Sequence, residues 1–361
     1  MEKILPRLSR GERAPDFILP SLDGTLTRFY AKAGGDPTLL IFSDSSQIDK
    51  ILCLVDGLKN SNPNSKMSIL AILGNNQSLP QSVTEDSKID FPVFSDSHGK
   101  VKTTYRLVDE DENIAFLLDS NLRVLASITI EEDIQLTAEK LISISAELRL
   151  HNETIKIKKQ APVLLLPNVL DPELCLHLIN IWETKGNVET GVELSQKNRR
   201  QEVITGDSKS RRDHTVTENK LLRLLSSSIG RRLMPEIQRA FAFQATRFEG
   251  FKIVCYDADT HGFFSAHRDN LSRSTAHRRF ALSLNLNQDY EGGYLRFPEF
   301  GPNLYQPEVG EALVFSCSHL HEVTEVTNGR RFALLSFVFS EVESQSRLDS
   351  KNSPVSENIK K

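Results

Sequence analysis

Arg279-Phe280-Ala281-Leu282-Ser283-Leu284-Asn285-Leu286 is the stretch on which the fold turns. It reads as a short buried strand, and two more follow it: Ala312-Leu313-Val314-Phe315 and residues 331–339. Gly, Pro and Asn punctuate the intervals between 248 and 339, and no helix signal intervenes. Many short strands at close spacing predict a β-sandwich or barrel. The tetrapeptide Arg-Phe-Ala-Leu occurs at 279 and again at 331. Its flanks differ, so it marks two buried strands and not a repeat.

Upstream the signals are helical. Asp171-Pro172-Glu173 supplies an N-cap acceptor, a proline at the first helical position and an acid near the positive helix end. The helix would bury Leu174, Leu178 and Ile181, and two more helical stretches are expected at 221–229 and 235–243. Before them, Ala161-Pro162-Val163-Leu164-Leu165-Leu166-Pro167 begins an apolar stretch. The polar, basic residues 151–160 form the joint with what precedes.

Residues 1–150 have another rhythm. Thr38-Leu39-Leu40-Ile41-Phe42 and Ser68-Ile69-Leu70-Ala71-Ile72-Leu73 suit strands of a sheet covered on both faces. Between them Ile48, Ile51, Leu52, Val55 and Leu58 recur at helical spacing. Ile114-Ala115-Phe116-Leu117-Leu118 and Leu122-Arg123-Val124-Leu125 flank the turn Asp119-Ser120-Asn121, and 139–150 reads as a closing helix. Strand, helix, strand, helix, hairpin, helix is the order of an α/β layer fold. The expected organisation is an α/β domain over 1–150, a linker over 151–160, a strand-rich domain with supporting helices over 161–341, and a disordered polar tail over 342–361.

The 361 residues agree with two domains at roughly 150 residues each. Forty-four basic against 48 acidic residues leave a net charge of −4, without the basic surplus of a nucleic-acid binder. No apolar run reaches the roughly 20 residues of a membrane span, and Pro6 and Arg7 interrupt any signal-like core. Cys53, Cys175, Cys255 and Cys317 stand far apart and form no C-x-x-C pair. A reducing, cytoplasmic setting is the expectation. Oligomeric state is not legible.

The chemistry gathers around His267-Arg268-Asp269 at a strand end. An H-x-[DE] alone is weak, and His151-Asn152-Glu153 is a second one without supporting context. Fifty-four residues beyond His267, however, His321 follows the strand at 312–315, and ten residues further Arg331 opens the last apolar strand. Two imidazoles and one carboxylate on one face of an octahedral ion leave three positions open, as in non-haem Fe(II) oxygenases. A buried guanidinium suits a dicarboxylate, because its planar fork meets a carboxylate through two hydrogen bonds. His319 competes with His321 as ligand, and Arg330 with Arg331 as anchor.

In these motifs residues 162–340 resemble the 2-oxoglutarate- and Fe(II)-dependent dioxygenases of the prolyl 4-hydroxylase type. The carrying stretches are Tyr256-Asp257-Ala258, Gly262-Phe263-Phe264-Ser265-Ala266-His267-Arg268-Asp269, Glu291-Gly292-Gly293-Tyr294-Leu295-Arg296-Phe297-Pro298, Pro307-Glu308-Val309-Gly310-Glu311, and His321 through Gly329-Arg330-Arg331. The resemblance implies a double-stranded β-helix (jelly roll) backed by the helices of 171–243. It implies Fe(II) on His267, Asp269 and His321, and 2-oxoglutarate bound by Arg331 and by the Tyr256 hydroxyl. O2 would be the second co-substrate and L-ascorbate a reductant. The reaction implied is hydroxylation of an unactivated C–H with release of succinate and CO2. The substrate, a small molecule or a peptide, is not readable. Two residues are inserted between Tyr256 and His267 relative to the family pattern.

Gly11-Glu12-Arg13-Ala14-Pro15-Asp16-Phe17 opens a domain that resembles the thioredoxin-like fold of peroxiredoxins. The family's attacking cysteine belongs just after Phe42, but Ser43-Asp44-Ser45-Ser46-Gln47 holds no sulfur. A hydroxyl does not replace the attacking thiolate. Cys53, a turn later, reads as a buried hydrophobe near Leu52 and Val55. Two other readings follow: a thiol peroxidase working through Cys53, and a non-catalytic protein whose first domain docks a partner. Cys317 reads as wall beside the site, Phe263, Phe264, Phe280 and Phe297 as core. The basic loop at 197–214 is either a lid over a substrate or a solvated loop.

Overall fold

The computed structural model describes residues 6–61, 66–74, 89–107, 113–146, 156–190, 192–196, 199–203 and 208–345. The chain divides into two units, Met1–Thr154 and Ile155–Lys361. Residues 147–155, part of the expected closing helix and joint, and most of the expected tail, 346–361, lie outside the described residues.

In the first unit a five-stranded sheet runs Val93–Ser95, Ser68–Gly74, Thr38–Asp44, Ile114–Leu118, Val124–Thr129. The first three strands are parallel and the last two antiparallel. Leu39 and Ile41 face the helices Ile48–Ser61 and Ile134–Ala146. Leu40 and Phe42 face Phe17, Phe29 and Tyr105. Both faces being covered explains why these strands read as unbroken apolar runs. This is the thioredoxin-like layer fold expected from the sequence. The last helix begins at Ile134, not 139, because Asp133 Oδ1 accepts the Leu136 amide at 3.2 Å and sets an earlier start. Cys53 is exposed, contrary to expectation. The buried stripe is Ile48, Ile51, Leu54, Val55 and Leu58, and position 53 falls on the opposite side of the helix.

The second unit pairs a large antiparallel sheet with a smaller one. The large sheet runs Leu164–Leu166, Ala312–Ser316, Phe280–Asn285, Val326–Phe339, Lys252–Asp257, Arg212–Thr215, Val188–Glu189. The smaller runs Lys209–Ser210, Phe263–His267, His321–Val323, Leu295–Arg296, Leu304–Tyr305. Alternation along Lys252–Asp257 divides two cores. Ile253 and Cys255 join Leu282, Leu284 and Leu334 against the helices Pro172–Thr184 and Asn219–Phe241. Val254 and Tyr256 turn the other way, to Leu295, Phe297, Phe315, Val323 and Ala333 between the sheets. This is the jelly-roll arrangement with helices behind the large sheet.

The helices expected at 221–229 and 235–243 are one, Asn219–Phe241, with Pro235 inside it. Proline forfeits one amide donor there. Leu221, Leu225, Ile229, Leu233 and Ile237, spaced by four, bury one continuous stripe, and that packing carries the helix through.

Candidate metal centre and co-substrate pocket

His267 ends the strand Phe263–His267 and His321 opens His321–Val323; the two are direct partners across the antiparallel pair. Asp269 lies two residues beyond His267, and its amide donates to the Cys317 carbonyl at 3.0 Å, which folds the turn back over the sheet. One ligand atom from each of the three residues lies within 4.8 Å of the others. His267 Nε2 is 3.5 Å from Asp269 Oδ1, and His321 Nε2 is 3.4 Å from Oδ2.

The imidazoles are oriented from behind. His267 Nδ1 meets the Ser265 carbonyl at 2.8 Å and His321 Nδ1 the His319 carbonyl at 3.0 Å. A carbonyl only accepts, so each Nδ1 carries the hydrogen and each Nε2 presents its lone pair inward. Burial holds the His321 imidazole below its ordinary value. Burial alone would raise the Asp269 carboxyl, but His321 and His267 outweigh it and hold it lower than usual. Two imidazole nitrogens and a carboxylate are a donor set that fits a divalent iron. Side-chain exposure falls from 21% at His267 and 12% at Asp269 to 5% at His321, so the open side is that of His267. Phe264 stacks on the His267 ring with centroids 3.7 Å apart, and Phe315 and Phe297 lie 4.6 and 6.2 Å from that of His321.

Arg331 stands directly opposite Tyr256 in the large sheet, and both are 2% exposed. Its guanidinium carbon lies 5.5 Å from the Tyr256 ring centre, and one Nη reaches Ser283 Oγ at 3.4 Å. Among the described residues no carboxylate pairs with it. A buried cation without a counter-charge costs several kcal/mol, which an entering carboxylate would recover. Gly293 makes room: a Cβ there would come within 2.9 Å of Arg331 Cδ and 2.8 Å of Val326 Cγ2. The rivals separate cleanly. Arg330 is exposed and pairs with Glu183 at 2.9 Å. His319 lies against Phe300, outside the cluster.

Between Tyr256 and His267 the chain makes a turn at Ala258–Thr260, closed by the Gly262 amide on the Asp257 carbonyl at 2.8 Å. A Cβ at Gly262 would meet the Asp257 nitrogen at 2.5 Å, so only glycine passes.

Sequence reasoning missed three supporting groups. Arg211 is buried, paired in a two-pronged contact with Asp213 at 2.7 Å, and donates to the Tyr256 hydroxyl at 3.2 Å. The basic stretch at 209–215 therefore runs through two strands with Lys209, Arg211 and Asp213 buried; the side chains of 192–203 are outside what is described. Arg278 grips Glu249 through two bonds of 2.7 and 2.8 Å and reaches the Asp269 carbonyl at 3.3 Å. Arg268, between the first two ligands, bonds Glu299 and the Ser318 carbonyl, while Glu299 also accepts the Leu320 amide. That clamp ties both ligand segments together, and Arg268 holds the Glu299 carboxyl down to about 2. An arginine inside an H-x-D was the available signal. Phe280 sits in the helix-side core as expected, whereas Phe264 lines the site.

Residues 251–339 match the family model described as 2OG-Fe(II) oxygenase superfamily, and residues 10–132 match that of the AhpC/TSA family. No curated protein matches significantly. Similar solved structures include a prolyl hydroxylase from Trichoplax adhaerens in complex with a hypoxia inducible factor oxygen degradation domain peptide fragment. It is 18% identical with a TM-score of 0.42, covering 62% of this chain and 98% of that one. A Pseudomonas putida prolyl-4-hydroxylase is 15% identical with a TM-score of 0.38, covering 50% and 94%. Peroxidoxin BcpB from Mycobacterium tuberculosis is 20% identical with a TM-score of 0.31, covering 39% and 99%.

Proposed function

The second unit carries a 2OG-Fe(II) oxygenase domain, and on that premise we propose that the protein is a 2-oxoglutarate-dependent dioxygenase that hydroxylates an unactivated C–H. The observation that carries the reading is the pairing of a His-Asp-His cluster with a buried arginine that, among the described residues, has no carboxylate beside it. His267, Asp269 and His321 would hold Fe(II). When bound, the iron supplies the O2 chemistry by which 2-oxoglutarate is oxidatively decarboxylated to succinate and CO2 as a C–H is hydroxylated.

The chain's own residues do the rest. The Ser265 and His319 carbonyls fix the imidazole tautomers. Arg331 would take the distal carboxylate of 2-oxoglutarate through its fork, with the Tyr256 hydroxyl as a further donor. Phe264, Phe297 and Phe315 form an apolar wall that limits water around the ligands. The substrate would enter on the His267 side, where exposure is greatest. We take it to be an amino-acid-like small molecule or a peptide, a prolyl residue being the first to test, with ascorbate as reductant. All four cysteines are free thiols, which accords with a cytoplasmic setting. No helix among the described residues is long and apolar enough to cross a membrane.

Uncoupled turnover tests the reading without knowing the substrate. Succinate release from 2-oxoglutarate should require added Fe(II) and O2, and disappear in His267→Ala. Release that survives in His267→Ala would remove the proposal.

A further inference from the structure

We infer that Arg211 is a positioning residue for the co-substrate: it takes up the acceptor side of the Tyr256 hydroxyl, so that the phenol's one hydrogen is left for the carboxylate held by Arg331. The inference deepens the oxygenase reading and rests on it.

Arg211 is buried with its guanidinium carbon 5.6 Å from the Tyr256 ring centre and 5.7 Å from that of Phe264. Nε and one Nη bind the two Asp213 oxygens at 2.7 Å each, and the other Nη donates to Tyr256 Oη at 3.2 Å. A guanidinium has donors and no acceptor. The phenol oxygen therefore accepts from Arg211 and cannot give its hydrogen back. Among the described residues the Tyr256 hydroxyl meets no acceptor for that hydrogen. Tyr256 is the register partner of Arg331, whose guanidinium lies 5.5 Å from the same ring. The ring thus lies close to two arginines, one fixing the hydroxyl and the other awaiting an anion.

Asp213 holds Arg211 in turn. It is 1% exposed, accepts the Thr190 hydroxyl at 2.8 Å and lies 3.8 Å from Lys252 Nζ. Asp213 pins the guanidinium along one edge through two bonds, which turns the other Nη toward the phenol.

The test uses the full chain loaded with Zn(II), which binds without turnover, and titrates 2-oxoglutarate calorimetrically. Arg211→Lys keeps a charge beside Asp213 but cannot span from it to the phenol. Arg211→Lys and Tyr256→Phe should each weaken 2-oxoglutarate about tenfold, the loss of one hydrogen bond to a charged group. The double variant should bind as Tyr256→Phe does, while Zn(II) affinity stays at the parent value. Parent-like 2-oxoglutarate binding in Arg211→Lys, or a further tenfold loss when it is added to Tyr256→Phe, would overturn the inference. A parent that does not bind 2-oxoglutarate at all would overturn the oxygenase reading, and this inference with it.

Discussion

The loop after Phe42 and the strand ends around His267 are the places where each unit resembles a reactive centre, and they differ in kind. In the first, Ser43 donates to Asn113 Oδ1 at 2.5 Å and Asp44 accepts the Ser46 amide at 2.9 Å, so the polar groups satisfy one another. In the second, two Nε2 atoms and a carboxylate converge, and a buried guanidinium has, among the described residues, no carboxylate partner. The first loop closes on its own hydrogen bonds without the thiol that the resemblance to peroxiredoxins would place there; the second holds groups that a bound metal and an anion would complete. Packing maintains a fold, and a few aimed side chains decide whether it has chemistry.

The comparison can be broken at its strongest point first. Removing a ligand, as in His321→Ala, should cost more than the roughly 10- to 100-fold that loss of a supporting group costs a metal site. Competition titration with Co(II) would show it, and a loss below tenfold would mean that the cluster is not a ligand set. Arg331→Met should raise the 2-oxoglutarate dissociation constant on the order of 100-fold, as loss of a buried charge pair does. The same change should leave the ligand-free protein as stable as the parent or more so, because it deletes an uncompensated buried charge. A lower melting temperature would instead mean that Arg331 is a structural residue.

Acid should probe the buried pair that supports this pocket. Burial alone would raise the Asp213 carboxyl, but Arg211 outweighs it and holds the group below its ordinary value. The folded state therefore binds that proton more weakly than the unfolded chain, whose carboxyl titrates near 3.9. The stabilisation is complete above about pH 4 and is lost as pH falls through the folded value. Asp213→Asn should thus cost about 3 kcal/mol at pH 7 and progressively less below pH 4 in denaturant melts. A gap that stays constant from pH 7 to 3 would contradict the pairing. The smallest effect is expected in the first unit. Cys53→Ser should change stability by less than about 0.5 kcal/mol, as surface substitutions do, and leave peroxide consumption where it was. Peroxide turnover that Cys53→Ser abolishes would restore the thiol peroxidase reading.

Residues differed in how far they could be read in advance. The convergence of His267, Asp269 and His321 and the burial of Arg331 were legible because order, spacing and flanking turns constrain them along the chain. Arg331 was separable from Arg330 by strand alternation with Ala333, and the structure places the two on opposite sides. Arg211 was not legible, since a charge in a basic run looks the same whether solvated or buried; only the pairing of Arg212–Thr215 with Lys252–Asp257 brings it to Tyr256. Cys53 was misjudged because it neighbours apolar residues in sequence but lies off their stripe on the helix. At Pro235 local propensity argued for a break, and burial of the Leu221-to-Ile237 stripe overrode it.

An anaerobic titration of the full chain with Fe(II) and 2-oxoglutarate, followed in the visible range, reaches the centre of the account most directly. It predicts a charge-transfer band that saturates at one equivalent of each and is absent in His267→Ala. A parent protein that develops no band, or a variant whose band equals the parent's, would contradict it.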